Sequence, residues 1–186
     1  MFNDTSSLLA YLSSRRSGKP RDLAAPGPSL DQLKDMVAIA ARTPDHGKLA
    51  PWRFVIIPDE RRDALAALLE NAYRAEKPDA GRLEIEAMHQ FARQAPAVIV
   101  ILSSPKPSKI PLWEQELSVG AAAMNLLHAV HAMGFAGGWL TGWPAYNETV
   151  RNAFGTADEK IGGFLFVRTP TPGVDEVCRS LPTSAR

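Results

Sequence analysis

The chain has a single cysteine, Cys178, so no disulfide can form within one molecule. This excludes a small secreted fold held together by disulfides and makes the cytoplasm the expected location. The N-terminus has neither the basic start nor the apolar stretch of a signal peptide, so we expect none. No segment approaches the roughly 20 consecutive apolar residues of a membrane span. We therefore expect a protein without a membrane partner.

Neither sign of charge dominates the chain. The 21 Lys and Arg residues balance 20 Asp and Glu residues to a formal net charge of +1, and the basic residues form no long run. A nucleic-acid partner is therefore not indicated. A hydrophobic content of 45% with 22% charged residues is ordinary for a globular protein. We expect residues 1–186 to form one domain with a sizeable core.

Several common catalytic and metal-binding motifs are missing as well. The sequence has no P-loop, no G-x-S-x-G element and no paired-cysteine motif. His128 and His131 are three residues apart and could contact one metal ion, but no third ligand follows at a recognisable spacing. We interpret them as core or interface histidines and expect no metal site.

Apolar spacing and capping residues predict an alternation of helices and strands. Leu8, Leu9 and Leu12 share a face of a short first helix, which Asp4 or Thr5 can cap. Ser29 and Gln32 form a capping-box pattern before the second helix. The later predicted helices cover 30–42, 59–77, 82–93, 111–133 and 148–154, and the predicted strands cover 53–57, 97–102 and 161–167. Because the middle of the 111–133 helix, residues 117–124, is small or apolar all round, we expect this helix to be buried on every side, with close approach of another helix that could belong to a second subunit.

The segment 42–52 carries more chemistry than a simple connector needs. Pro44 ends the preceding helix, because proline lacks a backbone donor and restricts the residue before it. A rigid segment between a helix and a strand can hold a ligand through its ionisable side chains, which are Arg42, Asp45, His46 and Lys48. The alternative is a solvated loop in which Trp52 fills the core.

A basic turn follows the first predicted helix. Within residues 14–21 it offers two arginines, a serine hydroxyl and a lysine, namely Arg15, Arg16, Ser17 and Lys19. Arginine makes bidentate charge-assisted hydrogen bonds and serine adds a neutral donor, so this turn suits a phosphate group. The alternative is a solvated basic helix end that complements the helix dipole.

Glycines stand beside tryptophans in residues 134–143. Glycine lets the backbone come close to the edge of a flat ligand. The spacing is not the G-x-G-x-x-G of a dinucleotide site, and the strand-before, helix-after context of that motif is missing. We therefore interpret this segment as a candidate contact for a flat ligand of another kind.

The order and spacing of these strings resemble the FMN-dependent nitroreductase family, and most closely its compact NAD(P)H nitroreductase-like subgroup. The matching strings are Arg15-Arg16-Ser17, Pro44-Asp45-His46, Pro51-Trp52, Trp113-Glu-Gln-Glu116, Gly134-Phe135 with Gly137 and Trp139, and Gly163-Phe-Leu before a Thr-Pro. The resemblance implies an α+β fold with a central mixed, mostly antiparallel sheet flanked by helices. It also implies a homodimer with two FMN sites at the subunit interface.

The resemblance assigns roles to the matching residues. Those that match the FMN-anchoring motif are Arg15, Arg16 and Ser17, followed by Lys19 at the position of a basic residue. Those that match positions reaching the flavin from the partner subunit are Arg42 and His46, with Pro44 and Asp45 lining it through their backbone. Those that match the segment along the remaining flavin edge are Gly137, Gly138 and Trp139. Lys48 and Ala50 stand where typical members have Asn and Gln, so substrate choice does not follow from the resemblance.

The implied activity is reduction of nitroaromatic or quinone-like acceptors with electrons from NAD(P)H, by a ping-pong mechanism in which FMN carries the electrons. No side chain is expected to act as a covalent nucleophile. Lys19, or else Lys48, is predicted to stabilise the negative charge that develops toward flavin N1 and O2. Two alternatives are a specialised flavin enzyme on the same scaffold, such as a dehalogenase or a flavin-consuming enzyme, and a non-catalytic FMN-binding dimeric protein.

Overall fold

The computed structural model describes residues 3–18 and 26–170. The helices are α1 (Leu8–Ser14), α2 (Leu30–Ala40), α3 (Arg62–Glu76), α4 (Arg82–Arg93), α5 (Leu112–Ala132), α6 (Trp143–Tyr146) and α7 (Glu148–Phe154). The strands are β1 (Trp52–Ile57), β2 (Ala97–Ser103), β3 (Ala136–Leu140) and β4 (Lys160–Arg168). Short 3-10 turns at His46–Lys48 and Asp59–Arg61 flank β1. None of the helices within these two ranges is long and apolar enough to cross a membrane.

The four described strands form one sheet in the order β1-β2-β4-β3. Each of their three pairings is antiparallel. Every residue of β2 is buried, as its unbroken apolar run predicts for a central strand. The predicted α+β class with a mostly antiparallel sheet is confirmed, and the described part of that sheet contains antiparallel pairs alone.

Helices cover both faces of the sheet, and alternate residues of β2 contribute to two separate cores. Val98, Val100 and Leu102 belong to the core that includes residues of α3, α4 and α7. Ile99 and Ile101 belong to the core formed with α2 and α5. This division follows from the two-residue period of a strand, which sends successive side chains to opposite faces.

Local sequence signals set the ends of α2. Ser29 and Gln32 form the predicted capping box, with Ser29 N–H donating to Gln32 Oε1 at 2.8 Å. The helix ends at Ala40, two residues before the predicted end, and Thr43 Oγ1 donates to the carbonyl oxygen of Ala40 at 2.9 Å. A side chain thus satisfies a carbonyl that the helix end leaves without an intrahelical partner.

Helix α1 differs from its prediction in its cap and in its buried side. Ser7 caps it, rather than Asp4 or Thr5, by accepting a hydrogen bond from Ala10 N–H at 3.1 Å. The one buried residue of the helix is Tyr11. Its leucines Leu8, Leu9 and Leu12 are 75%, 78% and 53% exposed. The apolar face that the sequence predicts therefore finds no cover within the described part of one chain.

The expectation that α5 is buried on every side is wrong for the single chain. Trp113 and Leu117 are 66% and 53% exposed, and Ala121 is exposed as well. A side chain added at Gly120 would meet no atom within 4 Å. The physical reason is that the sheet and α2 cover one side of α5, while the described part of the chain places nothing on the other.

The glycine-tryptophan segment contains β3, a strand that the sequence patterns did not predict. Glycine is depleted in strands, which hides this element from a propensity argument. The structure explains the glycine at 137, because a Cβ there would lie 2.9 Å from Leu127 Cδ1 and 3.0 Å from Val130 Cγ1. Strand β3 thus packs closely against α5 where a larger residue would not fit.

Candidate functional site

The predicted phosphate-binding residues lie in a turn directly after α1, which we call the anchor turn (residues 15–18). Gly18 N–H donates to the carbonyl oxygen of Gly137 at 2.8 Å, so the turn lies beside β3. Arg15 and Arg16 are half-buried and Ser17 is exposed. Two predicted groups that are more than 100 residues apart in the chain, Arg15–Ser17 and Gly137–Trp139, are therefore neighbours.

Residues at the start of the described chain fix the other side of the anchor turn. Asn3 Oδ1 accepts a hydrogen bond from Arg16 N–H at 2.8 Å. Ser14 Oγ accepts from Asp4 N–H at 2.9 Å and donates to the carbonyl oxygen of Ala10 at 2.7 Å. Asn3 has a φ of 52°, a left-handed conformation that Asn adopts more readily than most residues. These contacts hold the turn backbone while the hydroxyl of Ser17 stays accessible.

Trp139 borders the same region and is held in place by a glycine pair. Its Nε1–H donates to the carbonyl oxygen of Gly162 at 3.0 Å. A Cβ at Gly163 would lie 2.6 Å from Trp139 Cδ1, and Gly163 has a φ of 148°. Gly163 therefore makes room for the indole ring, which remains 37% exposed. Gly137 and Gly138, the two residues before Trp139 in β3, are buried.

Residues 44–50, which include the predicted site residues Pro44, Asp45 and His46, form a strained loop that we call the His46 loop. Lys48 and Ala50 have φ values of 54° and 46°, and Gly47 has a φ of 82°. Asp45 Oδ2 accepts a hydrogen bond from Ala50 N–H at 2.5 Å and so closes the loop. Non-glycine residues in this conformation cost on the order of 1–3 kcal/mol each and cluster at functional sites.

The His46 loop lies on the first half of α5. His46 Nδ1 is 2.7 Å from Glu114 Oε2, and Ser118 Oγ donates to the carbonyl oxygen of Pro44 at 3.3 Å. Arg42, just before the loop, has an exposed side chain, as do His46 and Lys48. Glu114 thus orients the imidazole of His46, whose side chain stays 62% exposed.

The His46 loop and helix α1, which leads into the anchor turn, contact opposite ends of α5. The His46 loop contacts Glu114 near the start of the helix, whereas Tyr11 of α1 contacts His131 in its last turn. These helix positions are about 25 Å apart at 1.5 Å per residue. A single chain thus carries two separate parts of the predicted site. Lys19, the predicted charge partner of the flavin ring, lies outside the described residues.

Sequence reasoning missed several residues that shape these parts. Glu114 was noted for its place in a motif, but nothing in the sequence pairs it with His46, 68 residues away. Asn3 acts through one side-chain acceptor and a left-handed backbone, which leave no periodic signal. The Gly162-Gly163 pair was visible within a predicted strand, where glycine often marks a close approach of another group.

Comparisons with known proteins agree with this architecture. The Nitroreductase family model matches residues 12–167. A relative from Escherichia coli K12 named "Putative NAD(P)H nitroreductase YdjA" is 36% identical over 164 residues, which cover 87% of each chain.

Two solved structures share the fold at low identity. The first is a nitroreductase-like family protein from Bacillus cereus, with a TM-score of 0.78, 20% identity and coverage of 95% of this chain and 92% of the other. The second is a nitroreductase with bound FMN from Bacteroides fragilis, with a TM-score of 0.71, 15% identity and coverage of 97% of both chains.

Proposed function

The chain belongs to the nitroreductase family, as its sequence motifs predict, and we propose that it is an FMN-dependent oxidoreductase. It takes electrons from NAD(P)H and passes them to nitroaromatic or quinone-like acceptors in a ping-pong cycle. The observation that carries this proposal is the Gly18–Gly137 hydrogen bond, which places the anchor turn beside the glycine strand. The name of the E. coli relative and the FMN bound to the B. fragilis protein support the same assignment.

The chemistry of the anchor turn fits the phosphate of FMN. Arg15 and Arg16 supply positive charge, and the exposed Ser17 hydroxyl adds a neutral donor. Hydrogen bonds from arginine to phosphate are charge-assisted and about twice as strong as neutral ones. The turn is also held on two sides, by Asn3 and by Gly137, so its donors are positioned before a ligand arrives.

The remaining predicted residues suit the flat ring of the cofactor. Gly137 and Gly138 let the backbone approach the ring edge, and Trp139 offers an exposed indole face. FMN, when bound, supplies the redox chemistry by accepting and releasing two electrons. The protein contributes orientation and positive charge near the ring, for which Lys19 is the first candidate and Lys48 the second.

We further propose a homodimer in which each site takes residues from both subunits. The side of α5 that other elements leave uncovered carries two large apolar residues, Trp113 and Leu117, and two small ones, Gly120 and Ala121. An exposed apolar surface of this kind is typical of an interaction site. If the two-fold axis of the dimer runs perpendicular to α5 through this surface, the two α5 helices are antiparallel. The start of one helix would then lie near the end of the other. That arrangement brings the His46 loop of one subunit to the anchor turn of its partner.

The proposal also includes a single domain and a cytoplasmic location. The 186 residues form one domain, since the family match covers 12–167 and all three predicted groups of site residues lie within it. The cytoplasm is the proposed location, on the ground that a chain with one cysteine needs no oxidising compartment.

Spectroscopy of the purified protein tests the proposed function. We expect flavin absorption bands, their anaerobic bleaching when NADH or NADPH is added, and their return when a quinone or nitroaromatic compound follows. A protein without flavin would contradict the proposal. Bound flavin that stays oxidised would favour the non-catalytic alternative, and flavin that reduces but does not pass electrons to either acceptor would favour the specialised enzyme.

A further inference from the structure

The hydroxyl of Tyr11 lies between two histidines of α5. It is 2.8 Å from His128 Nδ1 and 2.9 Å from His131 Nδ1. Both imidazoles meet the tyrosine ring edge-on, with ring centroids 5.4 and 5.8 Å away. Tyr11 is 7% exposed and His131 is 2% exposed. The proposed chemistry does not use this cluster of one tyrosine and two histidines.

The donor and the acceptor of each hydrogen bond in this cluster can be assigned. A tyrosine hydroxyl donates one hydrogen, so one Nδ1 accepts it while the other histidine donates. His131 Nε2 is buried and has no hydrogen-bond partner among the described residues. A buried N–H without an acceptor is rarer than a bare acceptor, so we assign the proton of His131 to Nδ1. The chain then runs from His131 to Tyr11 and on to the half-buried His128.

The cluster holds α1, and α1 leads directly into the anchor turn. The leucines of α1 are largely exposed, so within one chain Tyr11 supplies its buried contact with α5. Arg15 follows Tyr11 by one helical turn and comes directly after the last residue of α1, Ser14. Where Tyr11 sits on α5 therefore determines where Arg15 begins the turn.

Both histidines are neutral near pH 7, which keeps the chain of hydrogen bonds intact. Burial, followed by the positive charge of Arg15, lowers the pKa of His128. Burial, followed by the charges of Arg15 and His128, lowers the pKa of His131 to about 4.

We propose that Tyr11, with His128 and His131, is a positioning residue that sets the anchor turn for the phosphate of the cofactor. The inference rests on the proposed function, in which Arg15 and Ser17 hold that phosphate. It adds that the Tyr11 hydroxyl, which does not itself contact the ligand, is required for the selectivity of the site for a phosphorylated flavin.

Dissociation constants for FMN and for riboflavin, measured on the apoprotein, test this role. Riboflavin has the same ring without the phosphate. In the Tyr11→Phe variant, the Kd for FMN should rise about 3- to 10-fold, the size expected for losing well-placed hydrogen bonds. The Kd for riboflavin should change less than about 2-fold, since riboflavin has no phosphate for the anchor turn to bind.

Tyr73→Phe is the matched control. It also removes a hydroxyl that makes a hydrogen bond, at 2.8 Å to Glu84 Oε1, but on α3, far in sequence from the anchor turn. We expect it to leave both constants unchanged. If Tyr11→Phe does not fold, His128→Leu removes the acceptor at the half-buried end of the chain and should show the same FMN-selective loss.

The outcomes separate this inference from the proposed function. Wild-type protein that fails to bind FMN would contradict the proposed function itself. FMN binding that is equal in wild type and Tyr11→Phe would overturn the positioning role alone. Parallel losses for FMN and riboflavin would also overturn it, because they would show a general structural effect rather than one on the phosphate.

Discussion

The backbone N–H of Gly18 donates to the carbonyl oxygen of Gly137 across 2.8 Å. This bond joins the turn after the first helix to β3, which is the last strand in the order of the described sheet. It brings Arg15 and Ser17, which we assign to the phosphate, close to the glycines at positions 137 and 138, which we assign to the flavin ring. The proposed cofactor site is built around this junction.

Removing the charge of the anchor turn should weaken cofactor binding. A charge-assisted hydrogen bond contributes about 1.5–3 kcal/mol, so Arg15→Ala should raise the Kd for FMN roughly 10- to 100-fold. Ser17→Ala should cause a smaller rise, because its hydroxyl is a neutral donor. Flavin content after extensive dialysis, followed by titration with FMN, measures both changes.

Arg82→Ala is the control for that series. Arg82 makes an exposed ion pair with Glu86 on α4, at 2.8 Å. Its replacement by alanine therefore removes an arginine without changing the anchor turn. It should keep the full flavin content. Full retention of flavin by Arg15→Ala would show that the phosphate lies elsewhere.

Gly163 should tolerate no side chain. A Cβ there would overlap the indole of Trp139, and the φ of 148° is unfavourable for other residues. Gly163→Ala should lower the free energy of unfolding by about 2 kcal/mol or more and shift the fluorescence of Trp139. Urea denaturation followed by tryptophan emission measures both effects.

Gly162→Ala provides the matched comparison one residue away. A Cβ at Gly162 would lie 3.4 Å from Val119 Cγ1, which is close to ordinary contact. Its cost should stay below about 1 kcal/mol. Equal costs at the two positions would show that the fit of Trp139 against Gly163 is not the cause.

The exposed side of α5 should be a subunit contact. Sedimentation of the wild-type protein should give a dimer, and Gly120→Leu should dissociate it or prevent folding, because a large side chain would keep two helices apart. Ala87→Leu makes a comparable change at an exposed position of α4 and should leave the dimer intact. A wild-type monomer would remove the basis of the two-subunit site.

His131 should make the stability of the fold depend on pH. Burial lowers its pKa to about 4 in the folded protein, below the ordinary 6.5, so between these values the unfolded chain binds more protons. The stabilisation is complete above about pH 6.5 and is lost as the pH falls toward 4, by up to about 3 kcal/mol. Urea denaturation across this range measures the slope.

Two variants test whether the dependence of the free energy of unfolding on pH comes from His131. His131→Gln should lose most of it. His89→Gln replaces the histidine that pairs with Glu70 on another helix and should keep it, since His131 is still present. A slope unchanged in His131→Gln would contradict the assignment.

The elements with strong local signals were predictable from the sequence. Helix α4 occupies the predicted 82–93, and the capping box at Ser29 and Gln32 forms as expected. Strand β3 was missed because close packing against α5 selects glycine there, and glycine carries no strand signal. The tertiary fit of the strand thus overrides the preferences of its residues.

Contacts between residues that are far apart in the sequence are the part of the candidate site that could not be predicted. The three groups of site residues could be named from their motifs, but the sequence does not show which of them meet. Tyr11 and His128 are 117 residues apart, and no local pattern joins them. Similarly, the sequence shows that the residues of the exposed α5 surface are small or apolar, but it does not show which element covers them.

Co-expression of two inactive variants tests the central claim most directly. Arg15→Ala impairs the anchor turn, and His46→Ala impairs the loop that we assign to the partner's flavin. A mixed dimer of the two should contain one site with both defects and one intact site, which should bind FMN and oxidise NAD(P)H at up to half the wild-type rate per dimer. If both residues serve the flavin of their own subunit, each site keeps one defect, and a mixed dimer as inactive as its two parents would contradict the account.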